Sequence, residues 1–202
     1  MMDNGSFYRH LFITGLPGVG KTTLVCRLCE ILRRESVPLR GFYTTEVRGT
    51  YGRTGFEIVT VDGSRRATLA TVKPPPGGPY PNVGKYSVML NQFEPLALEV
   101  LGGVGSSSST RNTVFVIDEI GKMELTSKSF GDAALQVFSQ PSTIVIATIP
   151  AKPLKQLEAF AGIRHGPSAK LFEITKQNRD ATLQTVHDCV RKAIAALGFP
   201  IG

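Results

Sequence analysis

A chain of 202 residues, 42% hydrophobic and 19% charged, has the length for one α/β domain and the apolar content for a full core. Those proportions exclude a disordered tail, and no apolar run approaches the roughly eighteen residues of a membrane-spanning helix. The net charge of +7 favours anionic partners, but the bases come in scattered pairs such as Arg33-Arg34 and Arg65-Arg66, so a solvated basic surface is expected rather than a nucleic-acid stripe.

The opening MMDNGSFYRH has no basic region ahead of an apolar stretch, and neither end carries a lipidation motif, so a cytoplasmic protein is expected. Three cysteines argue against a disulfide framework. Cys26 and Cys29 form a C-x-x-C without a second pair, and they read as small core residues of a helix.

In chain order, residues 10–14 read as a strand that ends at Gly15. Leu24, Val25, Leu28, Ile31 and Leu32 then mark one helical face, closed by Val37-Pro38. Residues 40–47 and 55–63 alternate as strands joined by a Gly/Arg turn over 48–55, which predicts a hairpin, and residues 65–72 suggest a third strand. The segment KPPPGGPYPN (73–82) must be loop, and reads as a rigid one beside the site or as a proline-rich ligand for a partner. Strand resumes over 83–93, and Phe93 to Leu101 reads as helix. The Gly/Ser stretch 102–112 reads as a flexible surface loop.

The continuous apolar run TVFVIDEIG (113–121) predicts a strand buried on both faces of a parallel sheet, and STIVIATIP (142–150) a second. A helix is expected over 128–138 and a short one over 153–160. Residues 169–175 read as the last strand, and Leu183, Val186, Val190, Ile194 and Leu197 mark a closing helix capped near Asn178. The alternation implies a single α/β domain over 1–202, a mostly parallel sheet with helices on both faces, and an antiparallel β-rich insertion over 40–90.

Two stretches carry chemistry. Gly15-x-x-x-x-Gly20-Lys21-Thr22 follows a strand and opens a helix, which is the context of a P-loop. Glycines bring backbone N–H groups close to phosphate, the helix start adds its positive dipole end, Lys21 reaches the β- and γ-phosphates, and the Thr22 hydroxyl is a Mg²⁺ ligand. The nucleotide-binding set is therefore Gly15, Leu16, Pro17, Gly18, Val19, Gly20, Lys21, Thr22 and Thr23. At the end of the buried run, Val116, Ile117, Asp118, Glu119, Ile120 and Gly121 form the matching half. Asp118 fits the Walker B role of holding Mg²⁺, and Glu119, pointing elsewhere along the strand, is placed to orient or deprotonate water.

Further candidates are less constrained. Lys122 stands at the ligand end of the strand as a charge stabiliser or a solvated lysine. Arg179 is an arginine finger in cis or a surface residue, Arg48 and Arg53 are lid or surface arginines, and Thr148 is a γ-phosphate sensor or a plain strand end. His10, His165 and His187 lack metal-ligand spacing.

FITGLPGVGKTTL, GFYTTEVR, GFEIVT, VGKYSV, VFVIDEIGKMEL, IVIATIP and ITKQNRD together resemble, in order, the blocks of the thermophile-type nucleoside-triphosphatases. The resemblance covers about residues 9–192, and IDEIGKMEL is its most specific block. It implies a monomeric, RecA-like P-loop NTPase of the catalytic-glutamate division that hydrolyses ATP, GTP, CTP and UTP slowly with weak base preference. Two alternatives stay open on the residues alone. One is a nucleotide or small-molecule kinase on the same fold, although no arginine-rich lid is evident. The other is a nucleotide-dependent switch or nucleic-acid-binding module, although the lack of an N-K-x-D guanine motif weakens the GTPase-switch reading.

Overall fold

The computed structural model describes residues 7–102, 112–152 and 154–199. β1 (His10–Thr14) is buried at every residue and runs into the glycine loop, from which α1 (Lys21–Arg34) rises. Leu24, Val25, Leu28 and Leu32 are the buried stripe of α1, and Arg33 and Arg34 meet the negative end of its dipole. β2 (Leu39–Gly49), β3 (Gly52–Thr60), β4 (Arg66–Thr71), the short β5 (Asn82–Val83) and β6 (Tyr86–Val88), and α2 (Leu90–Leu101) follow. β7 (Thr113–Asp118), α3 (Lys128–Ser139), β8 (Thr143–Thr148), the single-turn α4 (Ala161–Arg164), β9 (Ala169–Glu173) and α5 (Arg179–Leu197) complete the order.

The described strands share one sheet in the order β5-β6-β4-β3-β2-β7-β8-β1-β9. From β9 to β2 the pairing is parallel, and from β2 to β5 it is antiparallel. The sheet is therefore evenly mixed, not mostly parallel, and the 40–90 region is continuous with it. The reason lies in β2. Its first half lies beside β7, with Leu39 opposite Val114 and Tyr43 opposite Asp118, while Phe42 to Gly49 pairs with β3 on the other edge.

Side chains alternate to two apolar layers. Leu11, Ile13, Val116 and Ile146 meet α1 and α5 on one face. Phe12, Phe42, Phe115 and Ile117 meet Phe93 of α2 and Phe130 and Phe138 of α3 on the other. β7 and β8 are buried throughout, which is why their sequences read as unbroken apolar runs.

Several element boundaries differ from the sequence expectation. The hairpin turn narrows to Thr50 and Tyr51, because Arg48 and Gly49 still pair with Arg53 and Gly52 beyond a bulge after Val47. α2 begins at Leu90 instead of Phe93: the Met89 N–H closes onto Leu69 O, and the Met89 carbonyl already accepts from Phe93. Residues 155–160 form a 3-10 helix leading into α4 rather than one α-helix. The expected flexible loop lies, over 103–111, outside the described residues.

Candidate functional site

Five parallel strands deliver their carboxyl ends to one edge of the sheet, where open α/β sheets gather ligand groups. The loop after β1 is built from glycine geometry. Gly15, Gly18 and Gly20 have φ of 154°, 73° and 108°, values that residues with a Cβ avoid. Val19 is buried in the apolar layer and pins the loop, while Leu16, Pro17 and Gly18 are exposed. No side chain caps α1, so its first N–H groups face outward toward the loop, a ready anion site. Lys21 Nζ donates to Gly15 O at 3.1 Å, folding the lysine back across the loop.

Asp118 ends β7 and is 1% exposed. Its carboxylate collects donors from three elements. Thr148 Oγ1 at the end of β8 donates to Oδ1 at 2.5 Å, Thr44 N of β2 donates to Oδ2 at 3.3 Å, and the Thr22 hydroxyl of α1 faces it. Thr44 Oγ1 also donates to Asp118 O at 2.6 Å. Burial raises the proton affinity of Asp118, and the three hydroxyl and amide donors and the Lys21 charge oppose that. A carboxylate held this far from water, beside a threonine hydroxyl and an anion-binding loop, fits a small hard cation such as Mg²⁺.

Glu119 is joined to Asp118 by a cis peptide bond. Its Oε2 lies 3.6 Å from Lys21 Nζ. Burial raises its proton affinity, the Lys21 charge lowers it, and the Asp118 charge raises it. The bend that follows is tied to β8 by Ile120 N–H donating to Thr148 O at 2.9 Å.

The structure thus brings Lys21, Thr22, Asp118 and Glu119 to one point. Arg179, the first residue of α5, joins them: a Cβ built on Gly20 would lie 3.3 Å from its guanidinium. The turn before it is braced by Asn178, whose Oδ1 accepts from Thr175 N and whose Nδ2 donates to Glu173 O. Thr23 and Lys122 are exposed beside the loop and the bend. The side chains of Val116, Ile117 and Ile120 lie in the apolar layers and carry the strand. Arg48 and Arg53 both bind Glu46, at 2.6 and 2.5 Å, and Arg53 Nε donates to Tyr86 Oη at 3.0 Å, so they brace the long hairpin. Cys26 and Cys29 are free thiols of α1, pushed up by burial to about 11 and about 12. No group of His, Cys, Asp and Glu with metal-site geometry occurs among the described residues. No helix there is long and apolar enough to cross a membrane.

Two residues of this site went unremarked in the sequence. Thr44 sits in an ordinary strand pattern, and only the β2–β7 register puts it on Asp118. Glu124 reads as a solvated carboxylate within KMEL, yet it is 5% exposed and lies beside Glu119. Its place between Met123 and Leu125, three residues after Gly121, was the available signal.

Comparisons with known proteins cover the same region. A family model described as NTPase matches residues 10–187. The cancer-related nucleoside-triphosphatase of Homo sapiens is 45% identical over 186 residues, 92% of this chain and 98% of that protein. The solution structure of a human cancer-related nucleoside triphosphatase superposes with a TM-score of 0.75 at 46% identity, covering 91% of this chain and 97% of that one. The crystal structure of THEP1 from the hyperthermophile Aquifex aeolicus gives 0.72 at 39% identity, covering 88% and 96%.

Proposed function

This chain belongs to the nucleoside-triphosphatase family, and from that premise we propose that it is a Mg²⁺-dependent P-loop enzyme converting nucleoside triphosphate and water to diphosphate and phosphate. The observation that carries the reading is the convergence of Lys21 and Glu119, 3.6 Å apart, beside the buried Asp118 and the Thr22 hydroxyl that faces it. The loop N–H groups and the start of α1 bind the phosphate chain. Lys21 offsets charge on its β- and γ-oxygens, and Arg179, lying over Gly20, reaches the same oxygens from the other side. Thr22 and Asp118 are the residues that would hold Mg²⁺. When bound, the ion neutralises charge that builds on the phosphate oxygens.

In the free protein Lys21 is shared between Gly15 O and Glu119. An entering γ-phosphate competes for the ammonium and releases the Glu119 carboxylate to accept a hydrogen bond from water. The water oxygen bonds to the γ-phosphorus, its proton passes to Glu119, and the bond from phosphorus to the bridging oxygen breaks with its electrons retained by the diphosphate. The family likeness supports a broad substrate range covering ATP, GTP, CTP and UTP, slow turnover and a monomer. A kinase needs cationic groups on a closing lid, and the hairpin arginines here are already bound to Glu46.

Glu119→Gln tests the reading. The amide keeps the shape but is no base, so single-turnover hydrolysis should fall at least about a hundredfold while calorimetric nucleotide affinity changes little. A loss under about threefold in the chemical step would remove Glu119 from water activation.

A further inference from the structure

Glu124 opens the 3-10 turn Glu124–Thr126 and is 5% exposed, although nothing in the reaction above uses it. A buried carboxyl is costly unless a partner compensates it. Here Oε2 accepts the Gly121 N–H at 3.1 Å. Leu125 N–H returns the link by donating to Gly121 O at 3.0 Å, so the bend after β7 is closed from both sides. Gly121 also separates two carboxylates. A Cβ there would lie 2.8 Å from Glu119 Oε1 and 2.9 Å from Glu124 Oε2. Glu119 Oε1 and Glu124 Oε2 therefore meet over the face of Gly121 that lacks a Cβ, while Glu119 Oε2 faces Lys21.

We infer that Glu124 is a positioning residue for water activation: its hydrogen bond to Gly121 holds the 119–121 bend, and its side chain backs Glu119 so that the carboxylate stays aimed at the γ-phosphate. The inference rests on the reading of Glu119 as the group that orients water. A carboxylate on a bend is only as well aimed as the bend, and misplacement by about 1 Å costs on the order of a hundredfold in rate. Burial, and then the Glu119 charge, push the Glu124 carboxyl up to about 8.

The two roles of Glu124 separate by substitution. Glu124→Ala removes both the bond and the backing. Glu124→Gln is neutral like the protonated acid, and its amide oxygen still accepts from Gly121. Gly121→Ala pushes a methyl against both carboxylates while leaving both glutamates in the chain. Single-turnover hydrolysis of ATP with Mg²⁺, calorimetric affinity for a non-hydrolysable ATP analogue, and the melting temperature of the nucleotide-free protein are measured for each, with Glu119→Gln alongside. Glu124→Ala and Gly121→Ala should slow the chemical step about 10- to 100-fold with affinity within about twofold, and Glu124→Gln should restore the rate to within about threefold.

Three results would overturn the inference: Glu124→Ala within about threefold of the parent, affinity lost in proportion to rate, or Glu124→Gln as slow as Glu124→Ala. If Glu124→Ala does not fold, Gly121→Ala and Glu124→Gln decide by the same criteria. A fast Glu119→Gln would sink the water-activation reading itself. A slow Glu119→Gln beside a fast Glu124→Ala would sink only the role of Glu124.

Discussion

Asp118 and Glu119 are neighbours in the chain with unlike surroundings. Asp118 is enclosed by threonines from β2, β8 and α1, and Glu119 meets the ammonium of Lys21. That difference agrees with the proposed roles, in which one carboxylate holds charge and the other exchanges a proton. The Thr148 hydroxyl, expected as a γ-phosphate sensor or an idle strand end, is spent on Asp118 Oδ1. Thr148→Val keeps the shape and removes the donor. A buried acceptor left unpaired costs about 1–3 kcal/mol, so urea unfolding should show a loss of that size. The Mg²⁺ concentration for half-maximal hydrolysis should rise, because the carboxylate is no longer held in place. An unchanged Mg²⁺ titration would mean that Thr44 and Thr22 suffice to orient it.

At the scale of elements, β2 carries the design. Gly41 has φ of 113°, and a Cβ there would lie 1.9 Å from Val116 O of β7. Only glycine lets β2 approach β7 this closely, and the Tyr43–Asp118 register follows two residues on. Gly41→Ala should therefore destabilise the fold by about 3 kcal/mol through strain and displaced pairing, read from denaturant midpoints. Because it shifts the strand that supplies Thr44, hydrolysis of the surviving folded fraction should fall as well. Element identity was legible where burial is two-sided: β1, β7 and β8 read directly, and so did the stripes of α1 and α5. The ends of elements were not. The start of α2 depends on a Met89–Leu69 hydrogen bond, and the hairpin length on a bulge after Val47, neither of which has a local signature.

Over the whole molecule, two buried ionisable groups give stability opposite slopes with pH. His10 is 5% exposed at the start of β1, its Nε2 has no hydrogen-bond partner among the described residues, and burial followed by the Arg9 charge lowers it from 6.5 to about 4. The unfolded chain binds the extra proton between those values, so this contribution is full above pH 6.5 and is lost as pH falls toward 4. Glu124 is raised from 4.5 to about 8, so the folded state binds the extra proton and stability falls as pH rises through that window. Each group contributes a slope of up to about 1.4 kcal/mol per pH unit. Chemical denaturation across pH should show the stability of Glu124→Gln relative to the parent rising from pH 4.5 to 8 and then levelling. For His10→Leu the relative gain should grow as pH falls from 6.5 to 4. A pH-independent difference for either variant would mean that the group is not buried in the form described.

Spacing along the chain determined the glycine loop, the lysine and threonine at its end, the paired carboxylates closing an apolar strand, and the strand–helix alternation that makes an α/β sheet. These are short-range features, encoded by residues within one or two turns or strand repeats of each other. Only the tertiary structure decided that Thr44 and Thr148 enclose Asp118, that Arg179 lies over Gly20, that β2 belongs to both halves of a mixed sheet, and that Glu124 is buried beside Glu119. Most of those pairings join residues far apart in the chain, and Glu124 is hidden by packing from several elements at once. Each depends on the order and register in which strands assemble, and that order is set by the summed burial of two apolar layers, which no local pattern contains.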